Sequence, residues 1–372
     1  MALIVLAVMA VLILSLFMLT APTTIVTAIG IYAGFHVQAP GRIVRCVPQG
    51  ARTGNGVQAA PRLLVAIASK HVPARSHYLV AVVDEYLSRF DGWDVDVTVD
   101  TDAPAVADFL AERFPRGAWP RGKTLSVAVW SLADLAQLRV DVSIEVEPIA
   151  MRLALVHRAA FARAAAARSH DFFLYTEDDV RTHRAALEYF SVTRRELWVH
   201  GWIPGFYRVE GTPPHLTDIG GRTIDADVLV APSGATFVTL ATPYAAMWVL
   251  DAAQVRAFML ESTFAHGVLD GFYGPRERFA VGWALAPTDV WGMCPTWWTA
   301  LTRSTCQAYT NRALVPILAN GTLDTRAAVE HLPGNYYEEG LAVQDLLVWT
   351  HGVPAGKPLP ETVHPICQPD YS

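Results

Sequence analysis

The chain has 372 residues, a net charge of −6, and a composition of 52% hydrophobic and 17% charged residues. That length supplies one large domain or two smaller ones with a buried core, and the acidic balance gives a nucleic-acid partner no electrostatic footprint. Cys46, Cys294, Cys306 and Cys367 show no C-x-x-C spacing, which argues against a zinc site and leaves three disulfide connectivities open, among them Cys294 with Cys306 and Cys46 with Cys367.

Much of the apolar excess lies at the amino terminus. Residues 2–35 carry no charged side chain, and the first full charge is Arg42; about 20 apolar residues cross a bilayer core. Residues 1–35 are therefore expected to be a membrane anchor, with the span at 2–21, a break or kink at Pro22, and an apolar stem at 25–35. A cleaved signal peptide is the competing reading, but it lacks a basic leading region and a clear A-x-A site. Arg42 and Arg45 follow the span, which by the positive-inside rule argues against a lumenal body. Large folded domains translocate regardless, and the sequon Asn320-Gly321-Thr322 fits a lumenal one. Residues 36–60, rich in Gly, Pro, Arg and Gln from Gly41 onward, read as stem and linker. The body is expected at residues 61–372.

The body opens with a continuous apolar run at residues 62–69, the pattern of a strand buried on both faces. Tyr78, Val80, Val82, Val83, Tyr86 and Leu87 recur at helical spacing, and residues 95–100 then alternate as a strand. This is a βαβ unit. Strands are expected at 125–130, 142–147 and 172–175, with an alanine-rich helix at 153–169. Such alternation predicts an α/β fold, a mostly parallel sheet with flanking helices that binds ligands at the carboxyl ends of its strands. Farther on, residues 184–193 look helical and 202–210 lead through a loop into a short strand. Residues 228–230, 236–240 and 245–249 suit strands, and Asp251 caps a helix reaching about residue 264. Residues 267–298, crowded with Gly, Pro, Trp and Tyr, read as a long functional loop.

The strand at 172–175 runs straight into Glu177-Asp178-Asp179. A hard divalent ion is commonly held by one or two carboxylates, with substrate phosphate oxygens completing its shell. The arrangement suits a nucleotide diphosphate. The competing reading is a solvated loop that caps the following helix.

Three pieces in order carry a resemblance: the strand and helix of residues 63–87, the helix with His157-Arg158 ahead of Asp171-Phe172-Phe173-Leu174-Tyr175, and the acid triplet itself. Over residues 61–340 the chain resembles the single-pass, Golgi-type membrane glycosyltransferases of GT-A fold with a D-x-D-like motif. The resemblance implies a GT-A-like, Rossmann-like body, a nucleotide-sugar donor, a glycan or glycoprotein acceptor, Mn²⁺ or Mg²⁺ as cofactor, and a lumenal location in the Golgi or another endomembrane. It implies that Glu177 faces the donor nucleoside, that Asp179 binds the metal, and that Asp178 assists either role. A late histidine often joins the metal shell in that family, and His331 is the first candidate, an imidazole being an acceptable ligand for Mn²⁺; a capping or packing histidine is the alternative. Thr176-Glu177-Asp178-Asp179 is not a strict D-x-D, so the metal-bound acid stays open.

The same resemblance sets Ser69, at the end of the first strand, and Asp100 and Asp102, after the second, against the nucleotide; turn chemistry explains Asp102-Ala103-Pro104 equally well. Arg158 offers a charge to the diphosphate or is a surface arginine on an alanine-rich helix. Inverting transfer needs a carboxylate base, for which Asp289, expected to open a helix at Val290, comes first, with Asp270 and Glu261 behind it. A plain helix cap is the alternative for Asp289. Trp283, Trp291, Trp297 and Trp298 give the aromatic density of a carbohydrate platform, with at least one expected at the acceptor subsite and most of the rest in the core. Arg208 and Glu210 line the same cleft or pair with each other. Two other classes compete: a GT-A-like membrane-tethered carbohydrate-binding protein without turnover, and a metal-dependent nucleotidyltransferase. Three clustered acids speak against the first, and a membrane stem speaks against the second.

Overall fold

Burial on both faces makes the run at residues 62–69 the centre of a sheet. The structure, a computed structural model, describes residues 60–115, 117–138, 152–212, 214–216, 228–239, 243–268, 276–293, 305–319, 322–334, 341–342 and 357–358. All of them fall in one unit, Arg52–Ile366. The expected anchor and stem, the strand at 142–147 and Cys46, Cys294 and Cys367 lie outside the described residues. Among the described residues no helix is long and apolar enough to cross a membrane.

The molecule is an α/β protein with mixed sheets and flanking helices. Strand β1 (Arg62–Ser69) is followed by helix α1 (Ser76–Ser88), β2 (Asp94–Thr101), α2 (Pro104–Arg113) and β3 (Lys123–Val129). Helices α3 (Leu132–Gln137) and α4 (Leu153–Ala166) precede β4 (Phe172–Glu177). These four strands are parallel, and the sheet order is β3-β2-β1-β4, closed at its edge by antiparallel β11 (Met247–Asp251). The chain thus builds outward from β1 through β2 to β3 and then returns to the other side of β1. That reversal is a topological switch point, where α/β sheets leave a crevice at the carboxyl ends of their strands.

Local sequence explains these elements. Helix α1 buries Leu79, Val82, Val83, Tyr86 and Leu87, the i, i+3, i+4, i+7, i+8 stripe of an amphipathic helix. Strand β4 is buried along its whole length, and fully burying side chains such as Phe173 and Leu174 stabilises the fold by about 1.5–3 kcal/mol each. Asp251 caps helix α6 (Ala252–Phe258), as expected, through a reciprocal box. Its Oδ1 accepts from the amides of Ala253 and Gln254, both at 2.9 Å, and Gln254 Oε1 accepts from the Asp251 amide at 2.9 Å.

After β4 come β5 (Val180–Arg181), α5 (Arg184–Trp198), β6 (Ile203–Pro204), β7 (Tyr207–Glu210), β8 (His215–Leu216), β9 (Val228–Val230) and β10 (Thr236–Thr239). Helix α6 (Ala252–Phe258) follows β11, and the expected single helix to residue 264 is instead broken: α7 (Ser262–His266) is separate. The expected long loop at 267–298 also contains structure, namely α8 (Glu277–Ala280) and β12 (Leu285–Met293), which pairs with β13 (Thr305–Asn311). Gly282 turns the chain between them at φ 62°, where a Cβ would lie 2.4 Å from Trp248 Cγ. Only glycine fits both demands there. Strand β14 (Ala313–Ile317) joins β6, β9 and β10 in a second sheet that also includes β17 (Lys357–Pro358). Strand β15 (Ala328–His331) lies between β7 and β5 in a third sheet with β8 and β16 (Leu341–Ala342).

Candidate functional site

The register of the parallel strands draws the site's first residues into line. Ala68 of β1 is level with Asp100 of β2 on one side and Glu177 of β4 on the other, so Ser69, Asp100 and the acid triplet share the carboxyl edge of the sheet. Across the switch point, Ser69 Oγ donates to Asp178 Oδ2 at 2.8 Å.

The three acids face three different partners. Glu177, buried, lies with Oε1 3.3 Å from Arg276 Nε and 3.4 Å from the Tyr244 hydroxyl. Burial, with Asp179 and Asp178 close by, pushes its carboxyl up to about 8 despite the opposing charge of Arg276. Asp178 is pushed up to about 6, by burial first and by the Asp179 charge second. Asp179 goes the other way. Burial acts to raise it, but a hydrogen bond from His331, with the charges of His331 and Arg75, holds it below the usual carboxylate range.

The third sheet explains how His331 reaches Asp179. Immediately after the triplet, β5 pairs antiparallel with β15, matching Val180 to His331, and the Leu332 amide donates to the Asp179 carbonyl at 2.9 Å. His331 Nε2 consequently stands 3.4 Å from Asp179 Oδ2. Behind it, β7 runs parallel to β15 and sets Glu210, fully buried, against His331 Nδ1 in a direct hydrogen bond. Glu210 on Nδ1 fixes the ring so that Nε2 is the nitrogen turned to Asp179, donating to it in the metal-free protein and available to a cation on losing that proton. Arg75, at the end of the turn Pro73–Arg75 that follows β1, pairs with the same Asp179 Oδ2. The other oxygen, Oδ1, is buried without a hydrogen-bond partner, an arrangement that costs free energy unless a donor or a cation meets it.

Asp179 and His331 would supply a divalent ion with two protein donors, the rest of its shell being left to substrate oxygens. They form a pair, not a cage: among the described residues no group of three or more His, Cys, Asp or Glu side chains is spaced to hold a metal.

Other expected site residues fall elsewhere. Asp100 accepts from Trp130 Nε1 at 2.9 Å, and burial pushes its carboxyl up to about 6 against that bond. Asp102 accepts from the His71 amide at 3.2 Å. The two acids therefore brace the loops after β1 and β3 beside Ser69. Arg158 requires correction. It is 3% exposed and donates to the carbonyls of Thr263, Phe264 and Phe279, with the rings of Phe258, Phe264 and Phe279 at 5.2–5.6 Å from its guanidinium carbon. It is a buried clamp on α7 and α8, out of reach of a diphosphate.

Trp283 also requires correction. It is 1% exposed, packs against Trp198 and Phe258, and carries the Arg312 guanidinium 4.6 Å from its ring, so it belongs to the core and not to an acceptor platform. Asp289 lies within strand β12 and does not open a helix, because residues 285–287 and 291–293 pair with β13, with a register shift between Pro287 and Trp291. Trp291 shares that strand; Asp270, Trp297 and Trp298 lie outside the described residues. Arg208 stacks over the Tyr244 ring at 5.5 Å while Glu210 holds His331.

Sequence reasoning missed Arg75, Arg276 and Tyr244. The available signal was weak: arginines in loops after a strand are common, and nothing local marks these as facing the acids. Together the fold and site define an α/β protein with a buried acid cluster at its switch point, balanced by two arginines and a carboxylate-braced imidazole. Compared with models of known protein families and with curated proteins, the chain matches none.

Proposed function

We propose that the chain is a metal-dependent glycosyltransferase of GT-A type, anchored by residues 1–35 in the Golgi or another endomembrane with its body in the lumen. It moves a sugar, with inversion, from a nucleotide-sugar donor to a glycan or glycoprotein acceptor. The observation that supports this reading is Asp179, which stands at the switch point with one oxygen orphaned in a buried setting and the other beside His331. A carboxylate so placed is suited to a cation shared with a diphosphate.

In this reading Asp179 and His331 hold Mn²⁺ or Mg²⁺, which when bound stabilises the leaving diphosphate. Glu210 orients His331 by fixing its Nδ1 proton. Ser69, Asp100, Asp102, Glu177 and Asp178 border the nucleoside side of the crevice. Asp289 on β12 takes the proton from the acceptor hydroxyl, with Trp291 and Trp297 toward the acceptor.

The test is release of nucleotide from UDP-, GDP- and CMP-sugars by the full chain, with Mn²⁺, Mg²⁺ or EDTA. One donor is expected to be turned over with metal only, and Asp179→Ala is expected to abolish this while the fold persists. An active, metal-independent Asp179→Ala protein would overturn the assignment. Binding of a glycan without any turnover, with or without acceptor, would favour the carbohydrate-binding reading instead.

A further inference from the structure

The turn after β1 places a guanidinium on the one carboxylate that a divalent ion needs. Arg75 pairs with Asp179 Oδ2, the oxygen that also faces His331 Nε2 at 3.4 Å. A divalent ion ligated by this oxygen and by His331 Nε2 would meet the Arg75 guanidinium at close range, and like charges repel far more strongly in a part-buried site than in water.

The two partners differ in what they lose by separating. The Asp179 side chain is 7% exposed and that of Arg75 is 40% exposed. Arg75, whose guanidinium carbon lies 5.9 Å from the Tyr78 ring, passes into solvent on release, and Asp179 is its only carboxylate partner among the described residues. Asp179, by contrast, would remain as a buried charge unless another cation took its place. The geometry points to Arg75 as an exchangeable internal cation: it neutralises Asp179 in the metal-free protein and is displaced when a divalent ion binds. This rests on the reading of Asp179 and His331 as the cation pair. Its consequence is that the metal-free site is held closed by its own arginine, so metal affinity is set by competition. A displaced Arg75 lies at the carboxyl edge of the sheet, where a diphosphate would give it a new anionic partner.

The experiment is Mn²⁺ binding to the full chain without nucleotide, read as loss of the free-ion electron paramagnetic resonance signal. Wild type, Arg75→Gln, Arg75→Lys and Asp179→Asn are compared. Removing a competitor should tighten Mn²⁺ binding by about tenfold in Arg75→Gln, within the usual range of coupling between two ligands at linked sites. Arg75→Lys, which keeps the charge, should stay near wild type, and Asp179→Asn should bind no Mn²⁺. Mn²⁺ should also raise the melting temperature of Arg75→Gln more than that of wild type. Equal or weaker Mn²⁺ binding by Arg75→Gln would overturn the exchange while leaving the cation site intact. No Mn²⁺ bound by either wild type or Arg75→Gln would overturn the cation pair and the exchange together.

Discussion

Replacing Arg158 separates a structural clamp from a ligand-binding arginine, because the two roles move different observables. Arg158→Met keeps an unbranched apolar stem and removes the guanidinium that bonds the carbonyls of Thr263, Phe264 and Phe279. Hydrogen bonds from a charged donor contribute about 1.5–3 kcal/mol each, and two buried acceptors and one part-buried acceptor would lose theirs. Relief from burying the charge offsets part of this, since burial, against a smaller opposing effect of Tyr175, drives the Arg158 pKa down to about 9. The net loss is expected at about 3–5 kcal/mol, the scale seen when one member of a buried ionic contact is removed. In a domain of this size that lowers the melting temperature by roughly 10 °C, with α7 and α8 loosened. The assay is thermal and urea denaturation followed by circular dichroism, alongside binding of the nucleotide-sugar donor. A variant that melts within about 2 °C of wild type yet loses affinity for donor would refute the clamp and return Arg158 to the diphosphate.

Glu210→Gln removes the carboxylate that orients His331 through Nδ1. Losing such a support typically weakens metal binding by about 10–100-fold, and a Mn²⁺ titration showing unchanged affinity would exclude Glu210 as the positioning group. Gly282→Ala drives a Cβ to 2.4 Å from Trp248 Cγ at φ 62°; overpacking and left-handed strain together should cost about 2–5 kcal/mol, visible as a lower urea midpoint. His183 is raised to about 9, chiefly by its hydrogen bond to Glu330 and then by that to Glu85. The stability this lends is complete below its ordinary value of 6.5 and is lost as pH rises through about 9. Because His183 is nearly half exposed, the effect should be about 1 kcal/mol or less. The stability gap between wild type and His183→Gln should therefore close between about pH 6.5 and 10, and a gap that is constant with pH would contradict the linkage.

Local periodicity was enough to read the scaffold of this protein. The apolar run that became β1, the helical stripe of α1, the alternation of β2 and the Asp251 cap are written in neighbouring residues, since burial and capping act over a few positions. For the same reason the acid triplet was legible as sitting at a strand end. What no local pattern carries is which residues meet across the fold. The pairing of β5 with β15 alone brings His331 to Asp179, the parallel run of β7 puts Glu210 behind it, and a turn after β1 delivers Arg75 to the same oxygen. Arg158 read as a charge for the diphosphate or a surface arginine on an alanine-rich helix until α7 and α8 closed over it, and Trp283 looked like a sugar platform until Trp198 and Phe258 enclosed it. Chain order and strand identity were fixed by short-range hydrophobic pattern; partner, exposure and charge balance were decided by long-range packing, which determines what each side chain finds once the sheet is closed.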